Sequence, residues 1–184
     1  MRIISGKLKG RSIAAPANLP VRPTTDFAKE SLFNILSNRI EYEELIVLDL
    51  FCGTGNISYE FASRGVGSIT AVDDNFKCSS FVKETAEKFQ LTNIKVVKYD
   101  VFRFLKSTPF SFDIIFADPP YEMDKIESIA NIVFEKKLLN SKGWLIIEHS
   151  DKTKLSALPF FYEARSYGKV NFSIFRNDDK EGKK

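Results

Sequence analysis

The chain has 184 residues, 43% hydrophobic and 28% charged, enough for one good core with a small extension and ordinary for a soluble globular protein. Its formal net charge of +3 neither requires nor excludes a nucleic-acid partner. A single histidine, His149, argues against a Ser-His-Asp triad or a histidine-rich zinc site, and Cys52 and Cys78 lack the spacing of a metal or redox pair. With no signal peptide or long apolar span opening the chain, a reducing cytoplasm is expected, with no membrane and no metal.

Residues 1–25 hold Arg2, Lys7, Lys9, Arg11 and Arg22 and no acidic residue, and the acids begin at Asp26. On charge alone this arm is equally a polyanion-facing surface or a solvated basic hairpin. "MRIISGKLKGRSIAAP" alternates like two short strands, with Gly6 or Gly10 available for turns. In "RPTTDFAKESLFNILSNRI", Thr25 or Asp26 is placed to cap a helix whose apolar face is Phe27, Leu32, Phe33, Ile35 and Leu36. From residue 45 the rhythm becomes strand "LIVLDLF", helix "NISYEFASR", strand "SITAVD", helix "NFKCSSFVKETAEKFQ". It continues as "IKVVKYD", "VFRFLKS", "FDIIFAD", "KIESIANIVFEKKLL" and "GWLIIEHS". Such βα repetition implies a parallel sheet covered by helices on both faces. "FFYEARSYG" and "KVNFSIFRN" are separated by too few residues for a helical crossover and read as an antiparallel hairpin. The chain thus divides into an extension over 1–40, an α/β domain over 41–177, and a charged tail over 178–184 that reads as disordered.

"VLDLFCGTGNIS" sets Gly53 and Gly55 directly after the first strand of the alternation, where a tight turn lets a ligand approach the backbone. Ser58 stands where the dinucleotide fingerprint wants its third glycine, and the Asp49 carboxylate would repel a pyrophosphate. Both weaken a nicotinamide dehydrogenase reading; Asp49 suits a ligand with an ammonium group and no phosphate. Asp73 ends the second strand at the spacing of a ribose-hydroxyl acceptor. Asp100 ends the third and is placed to accept from an adenine amine, with Val101 and Phe102 against the ring. Asp118 ends the fourth. One or two of these carboxylates are explicable as helix caps; four are harder to explain that way. An ammonium, a ribose and an adenine without phosphate describe S-adenosyl-L-methionine, whose methyl group is already activated for in-line displacement.

In "FDIIFADPPYEMD" two prolines stop a buried strand and stiffen the loop after it. Asp118 and the Pro119 carbonyl can each accept an N–H of an exocyclic base amine, freeing its lone pair, while Tyr121 stacks on the base. Guanine offers a carboxylate two adjacent donors, whereas adenine sets an unprotonated ring nitrogen beside its amine, so Asp118 leans toward guanine. The target nucleotide must leave its helix or lie in an exposed loop to reach such a pocket. Trp144 reads as core, Cys52 as a small buried side chain, and His149 as the end of a strand.

With "MRIISGKLKGR", "RPTTDFAKESLFNIL", "VLDLFCGTG", "FADPPY" and "YGKVNFSIF" in order, the chain resembles the bacterial RsmD-type methyltransferases, which modify a guanine N2 in small-subunit (16S) ribosomal RNA. The likeness spans nearly the whole chain. "DPPY" is shared with several amino-methylating families, and the N-terminal pair of motifs is more specific. The resemblance implies a Rossmann-like class I methyltransferase fold, seven-stranded and mostly parallel with an antiparallel C-terminal hairpin, plus an N-terminal hairpin and helix that touch RNA. It implies a cofactor pocket at Asp49, Phe51, Gly53, Gly55, Asp73, Asp100 and Val101, with Thr24, Thr25 and Phe33 folded over it. The target-amine loop is Asp118, Pro119, Pro120 and Tyr121, and Arg2, Lys7, Lys9, Arg11 and Arg22 engage phosphates. Cys52 and Ser58 depart from frequent alanine and glycine but are small enough for the pocket. The implied partner is ribosomal RNA in the small subunit or its assembly intermediate, bound by a monomer. Two readings compete: an adenine-N6 methyltransferase acting on DNA or RNA, which lacks a visible target-recognition insertion, and a non-catalytic RNA-binding or assembly protein, which calls for a damaged pocket.

Overall fold

A computed structural model describes residues 1–16, 19 and 26–178. The apolar runs of the alternating region become strands β1 (Ile46–Leu50), β2 (Ser68–Asp73), β3 (Ile94–Lys98), β4 (Phe112–Ala117) and β5 (Leu139–His149). The helices are α1 (Asp26–Ser37), α2 (Asn56–Ser63), α3 (Phe76–Lys88), α4 (Val101–Ser107) and α5 (Glu127–Glu135). The expected hairpin is β6 (Phe161–Tyr167) and β7 (Val170–Arg176), turning at Gly168 with φ 63°.

All seven strands form one sheet in the order β3-β2-β1-β4-β5-β7-β6, parallel except at β7, which runs antiparallel to both its neighbours. This is the expected class I methyltransferase topology. The chain steps outward from β1 to β3, then crosses back to β4, so β1 and β4 are the adjacent parallel pair where winding reverses. In open α/β sheets a ligand crevice forms at that reversal, outside the carboxyl ends of the strands. Strand alternation builds two cores. Val47, Ile114, Phe116 and Ile146 face α1, α2 and α3. Leu48, Leu50, Ile115, Leu145 and Ile147 face α4 and α5.

The N-terminal arm corrects one expectation. Residues 1–16 do not form two regular strands; a single antiparallel bridge joins Arg2 to Ser12, with a bend at positive-φ Gly6 and Gly10. The arm still pairs with itself as a hairpin, with Ile3 N–H donating to the Arg11 carbonyl, Gly10 N–H to the Ile3 carbonyl and Ile13 N–H to the Met1 carbonyl, and it bonds to α2 as well. The Ile4 and Ser5 N–H groups donate to the two Glu60 carboxylate oxygens at 2.8 and 3.0 Å, and Lys7 N–H donates to the Ser63 carbonyl at 2.8 Å. Gly6 lies so close that a Cβ there would meet the Ser63 carbonyl oxygen at 1.9 Å. Ile3 and Ile13 join the core on the α2 side, so the arm is packed structure, not a free tail.

The α1 face also differs from expectation. Ala28, Lys29, Leu32, Phe33 and Leu36 are its buried residues, whereas Phe27 is 67% exposed and packs edge-on to Tyr167. Lys29 is the surprise. Fully buried, it donates to the Arg2 carbonyl at 2.7 Å and Asn56 Oδ1 at 2.8 Å, and lies 3.6 Å from Glu60. Burial lowers its pKa, and Glu60 and Asp26 oppose that shift. Arg22 and the charged tail beyond Asp178 lie outside the described residues. Among the described residues no helix is long and apolar enough to cross a membrane.

Candidate active site

The crevice floor is the turn between β1 and α2. Phe51, Gly53 and Gly55 all take positive φ (57°, 52° and 77°), a run of left-handed residues that folds the chain back within five positions. A side chain at Gly55 would also collide with the Tyr59 ring, 2.8 Å from its Cζ. The turn is sewn to β2: Cys52 N–H donates to the Val72 carbonyl at 3.1 Å, and Gly53 N–H to Asp73 Oδ2 at 2.9 Å. Cys52 itself is buried, and burial pushes its thiol well above the ordinary range, so it supplies no thiolate.

Asp49 sits beneath this turn, 1% exposed, accepting the Ser58 hydroxyl proton at 2.5 Å. Burial pushes its carboxyl up to about 7; Ser58 opposes the shift, and the charges of Asp118 and Asp73 add to it. Ser58 is therefore more than a tolerated departure from glycine. Asp73 accepts Gly53 N–H on one oxygen and Asn75 N–H on the other, at 2.9 and 2.8 Å, and burial still raises its pKa. It does not cap α3, a task taken by the Asn75 side chain.

Asp100 is the one strand-end carboxylate of the four that caps a helix by its side chain, with Oδ1 accepting Arg103 N–H at 2.8 Å at the start of α4. Val101 is buried behind it, and the Phe102 ring stands edge-on to Phe51 at 6.3 Å, closing the far wall of the crevice. Asp118 leaves β4 half-buried, its N–H donating to the Leu50 carbonyl at 3.4 Å, so the target loop starts beside the glycine turn. The loop then folds on itself through Met123 N–H to the Pro120 carbonyl at 2.9 Å. Tyr121 is 44% exposed, and its hydroxyl donates to Glu148 Oε1 at 3.5 Å.

Asp49, Phe51, Gly53, Gly55, Asp73, Asp100, Val101, Asp118, Pro119, Pro120 and Tyr121 thus gather at the carboxyl edge of β1 to β4. Phe33 does not join them. It is fully buried against Phe61, with ring centroids 4.7 Å apart, and lies under the Arg64 guanidinium at 4.6 Å. Those partners are at the far end of α2, about one helix length (~12 Å) from the glycine turn. Phe33 is core, with no path to the pocket wall. Thr24 and Thr25 lie outside the described residues. Arg2, Lys7, Lys9 and Arg11 are exposed and make no ion pair among the described residues. The arm that carries them reaches the glycine loop, where the Thr54 hydroxyl donates to Met1 Sδ at 3.5 Å. His149 ends β5 as expected, with Nε2 2.8 Å from Ser173 Oγ and Nδ1 2.8 Å from the Ser150 carbonyl.

Sequence reasoning missed Lys29, Glu60 and Glu148. Glu148 follows the apolar run Trp144 to Ile147 of β5 at 2% exposure, and Lys29 interrupts the apolar face of α1. A charge inside a hydrophobic stripe was the available signal in each case.

The family described as "Conserved hypothetical protein 95" matches residues 1–176. YlbH of Bacillus subtilis is 36% identical over 159 residues, covering 84% of this chain and 85% of that protein. The ribosomal RNA small subunit methyltransferase D of Buchnera aphidicola subsp. Baizongia pistaciae is 29% identical over 181 residues, covering 96% and 92%. The solved structure of YhhF from Escherichia coli superposes with a TM-score of 0.85 at 24% identity, covering 97% of this chain and 98% of that one, which supports the fold. With a family match from end to end of the described fold and relatives of matching length, the chain belongs to the RsmD family of S-adenosylmethionine-dependent rRNA methyltransferases.

Proposed function

We propose that this rRNA methyltransferase acts on the N2 amine of a guanine in small-subunit (16S) RNA, presented by the small subunit or its assembly intermediate. The observation that carries the base assignment is Asp118, an acceptor held between the rigid end of β4 and two prolines. A carboxylate there matches the adjacent N1–H and N2 donors of guanine and opposes the lone pair of adenine N1.

S-adenosyl-L-methionine, when bound, supplies a methyl group activated on a sulfonium, so the protein need furnish no acid. The residues fit it. A desolvated carboxylate at Asp49, flanked by Asp73 and Asp118, calls for a cationic partner such as the cofactor's ammonium. Asp73 serves the ribose hydroxyls, and Asp100 Oδ2 with the Val101 backbone serves the adenine edge. Asp118 and the Pro119 carbonyl accept the amine protons, hold the nitrogen pyramidal, and stabilise the positive charge that grows on it. Tyr121 stacks on the extruded base, its ring fixed by the bond to Glu148. Arg2, Lys7, Lys9 and Arg11, with Arg22 from the undescribed segment, contact phosphates and set the register of the RNA.

The test is methyl transfer from labelled S-adenosylmethionine to small subunits lacking modification, followed by nuclease digestion and mass spectrometry. N2-methylguanosine is the expected product. N6-methyladenosine would keep the clamp and overturn the base assignment.

A further inference from the structure

We infer that the groove between α4 and α5 is a second RNA-binding site, which seats a single-stranded nucleotide next to the target; this rests on the rRNA methyltransferase reading above. The groove has a volume of about 570 Å³, within the ~300–1,000 Å³ common for ligand sites. It does not include the glycine turn, and of the residues assigned above to the cofactor crevice Phe102 alone lines it.

Its chemistry is that of a nucleotide seat. Phe102 from α4, Ile132 from α5 and Met123 from the loop between them provide an apolar floor. A base has a π-face that stacks on such a surface whatever its sequence. Lys106 and Lys125 stand on the rim, both exposed and neither in an ion pair among the described residues. Two uncompensated cations flanking an apolar floor match one base and its phosphates. Asn131, also exposed, offers an amide for a base edge.

Position argues for RNA over another occupant. Met123 is bonded to the Pro120 carbonyl at 2.9 Å, so the groove wall is continuous with the target loop. Phe102 forms both the groove floor and the contact to Phe51 of the cofactor turn. The basic arm packs with α2 on one face of the sheet, and the groove lies with α4 and α5 on the other. The target loop projects from the edge between them. An extruded guanine needs its neighbours splayed to either side, and cations on both faces of the sheet hold them there.

One carboxylate, Asp124, shares the rim and opposes a phosphate. It gives the test an internal sign control. The Lys106→Glu/Lys125→Glu variant should raise KM for small subunits at least tenfold at moderate salt, with cofactor affinity and melting temperature unchanged. Its log–log salt slope for binding RNA should fall by about 1.4, at ~0.7 per lost single-strand phosphate contact. Asp124→Asn should shift affinity the other way, by about twofold to fivefold at low salt.

Unchanged KM and slope in both variants would overturn the proposal, as would loss of cofactor binding in the lysine variant. If the lysine variant bound isolated rRNA like wild type yet failed only on whole subunits, the occupant would be a ribosomal protein and the RNA assignment wrong. If wild type itself transferred no methyl to rRNA, the functional reading would fail instead, independently of the groove.

Discussion

Asp49 makes cofactor affinity and apo stability depend on pH in opposite directions. Its carboxyl, buried at 1% exposure, is pushed up to about 7 from an ordinary 3.8. The folded protein therefore binds this proton more tightly than the unfolded chain does. The stabilisation of the protonated form is fully present below pH 3.8 and is lost as pH rises to about 7. About three pH units at ~1.36 kcal/mol each come to about 4 kcal/mol, a large share of a typical stability of ~5–15 kcal/mol.

On the proposed reading cofactor binding should run the other way, because the ammonium would pair with the ionised carboxylate. Below about pH 7 each complex must expel the proton, so affinity should rise about tenfold per pH unit up to that point. An α-amino group of ordinary pKa, about 7.7–8.0, loses its own charge above that. Affinity should thus peak between about pH 7 and 8. The assay is calorimetric titration of S-adenosylmethionine across about pH 5.5 to 8.5, with melting of the free protein in the same buffers. Asp49→Asn should bind weakly throughout and lose the wild-type decline in apo stability. An affinity that stayed flat between about pH 5.5 and 7, or an Asn variant as tight as wild type, would show that Asp49 does not hold the ammonium.

Asp118→Ala should abolish methyl transfer while leaving calorimetric cofactor affinity within about threefold of wild type, since it removes an acceptor of the amine and not of the cofactor. Glu60→Gln removes the charge that faces Lys29 and Arg64 inside the fold and should cost about 3 kcal/mol, lowering the melting temperature by about 6–12 °C. Reversing charge at Lys7, Lys9 and Arg11 should weaken RNA binding steeply at low salt and little at high salt, with melting temperature unchanged. Equal loss at all salt concentrations would mean that the arm acts through shape and not through phosphates.

The strands were legible because burial in a parallel sheet writes itself as short apolar runs, and "SITAVD" and "VFRFLKS" are the bounds of β2 and α4 in the structure. The carboxyl-edge cluster was legible for the same reason: Asp73, Asp100 and Asp118 stand at or just past the ends of strands, and Asp49 interrupts an apolar run. What the sequence hid was tertiary. Nothing in the alternation of residues 1–16 says that Ile4 and Ser5 donate to a carboxylate more than fifty residues away and not to a facing strand. Phe27 and Ile35 looked like core on composition, yet the helix turns Ala28 and Lys29 inward because Glu60 and Asn56 offer the ammonium its partners. Phe33 was expected over the cofactor because of the segment it lies in, whereas the structure sets its ring against Phe61 and under Arg64.

Those hidden contacts converge on α2, and they explain why an eight-residue helix with no exposed face carries four polar side chains. Asn56 receives Lys29, Ser58 donates to Asp49, Glu60 holds Ile4, Ser5 and Arg64, and Ser63 accepts Leu8 N–H at 2.9 Å. Each of these four side chains thereby escapes the cost of an unmet hydrogen bond. The same list is a wiring plan. One rigid rod carries the glycine turn at its start, the hydroxyl bonded to Asp49 one turn in, and the anchor of the basic arm at its end. A shift of α2 cannot alter the glycine turn without also moving the arm, so on the proposed reading RNA position and cofactor position are coupled through a single element. Glu60→Gln should therefore loosen the arm and raise KM for small subunits even though Glu60 touches neither ligand, whereas Glu148→Gln, which weakens the hold on the Tyr121 hydroxyl, should lower kcat and leave KM for small subunits nearly unchanged.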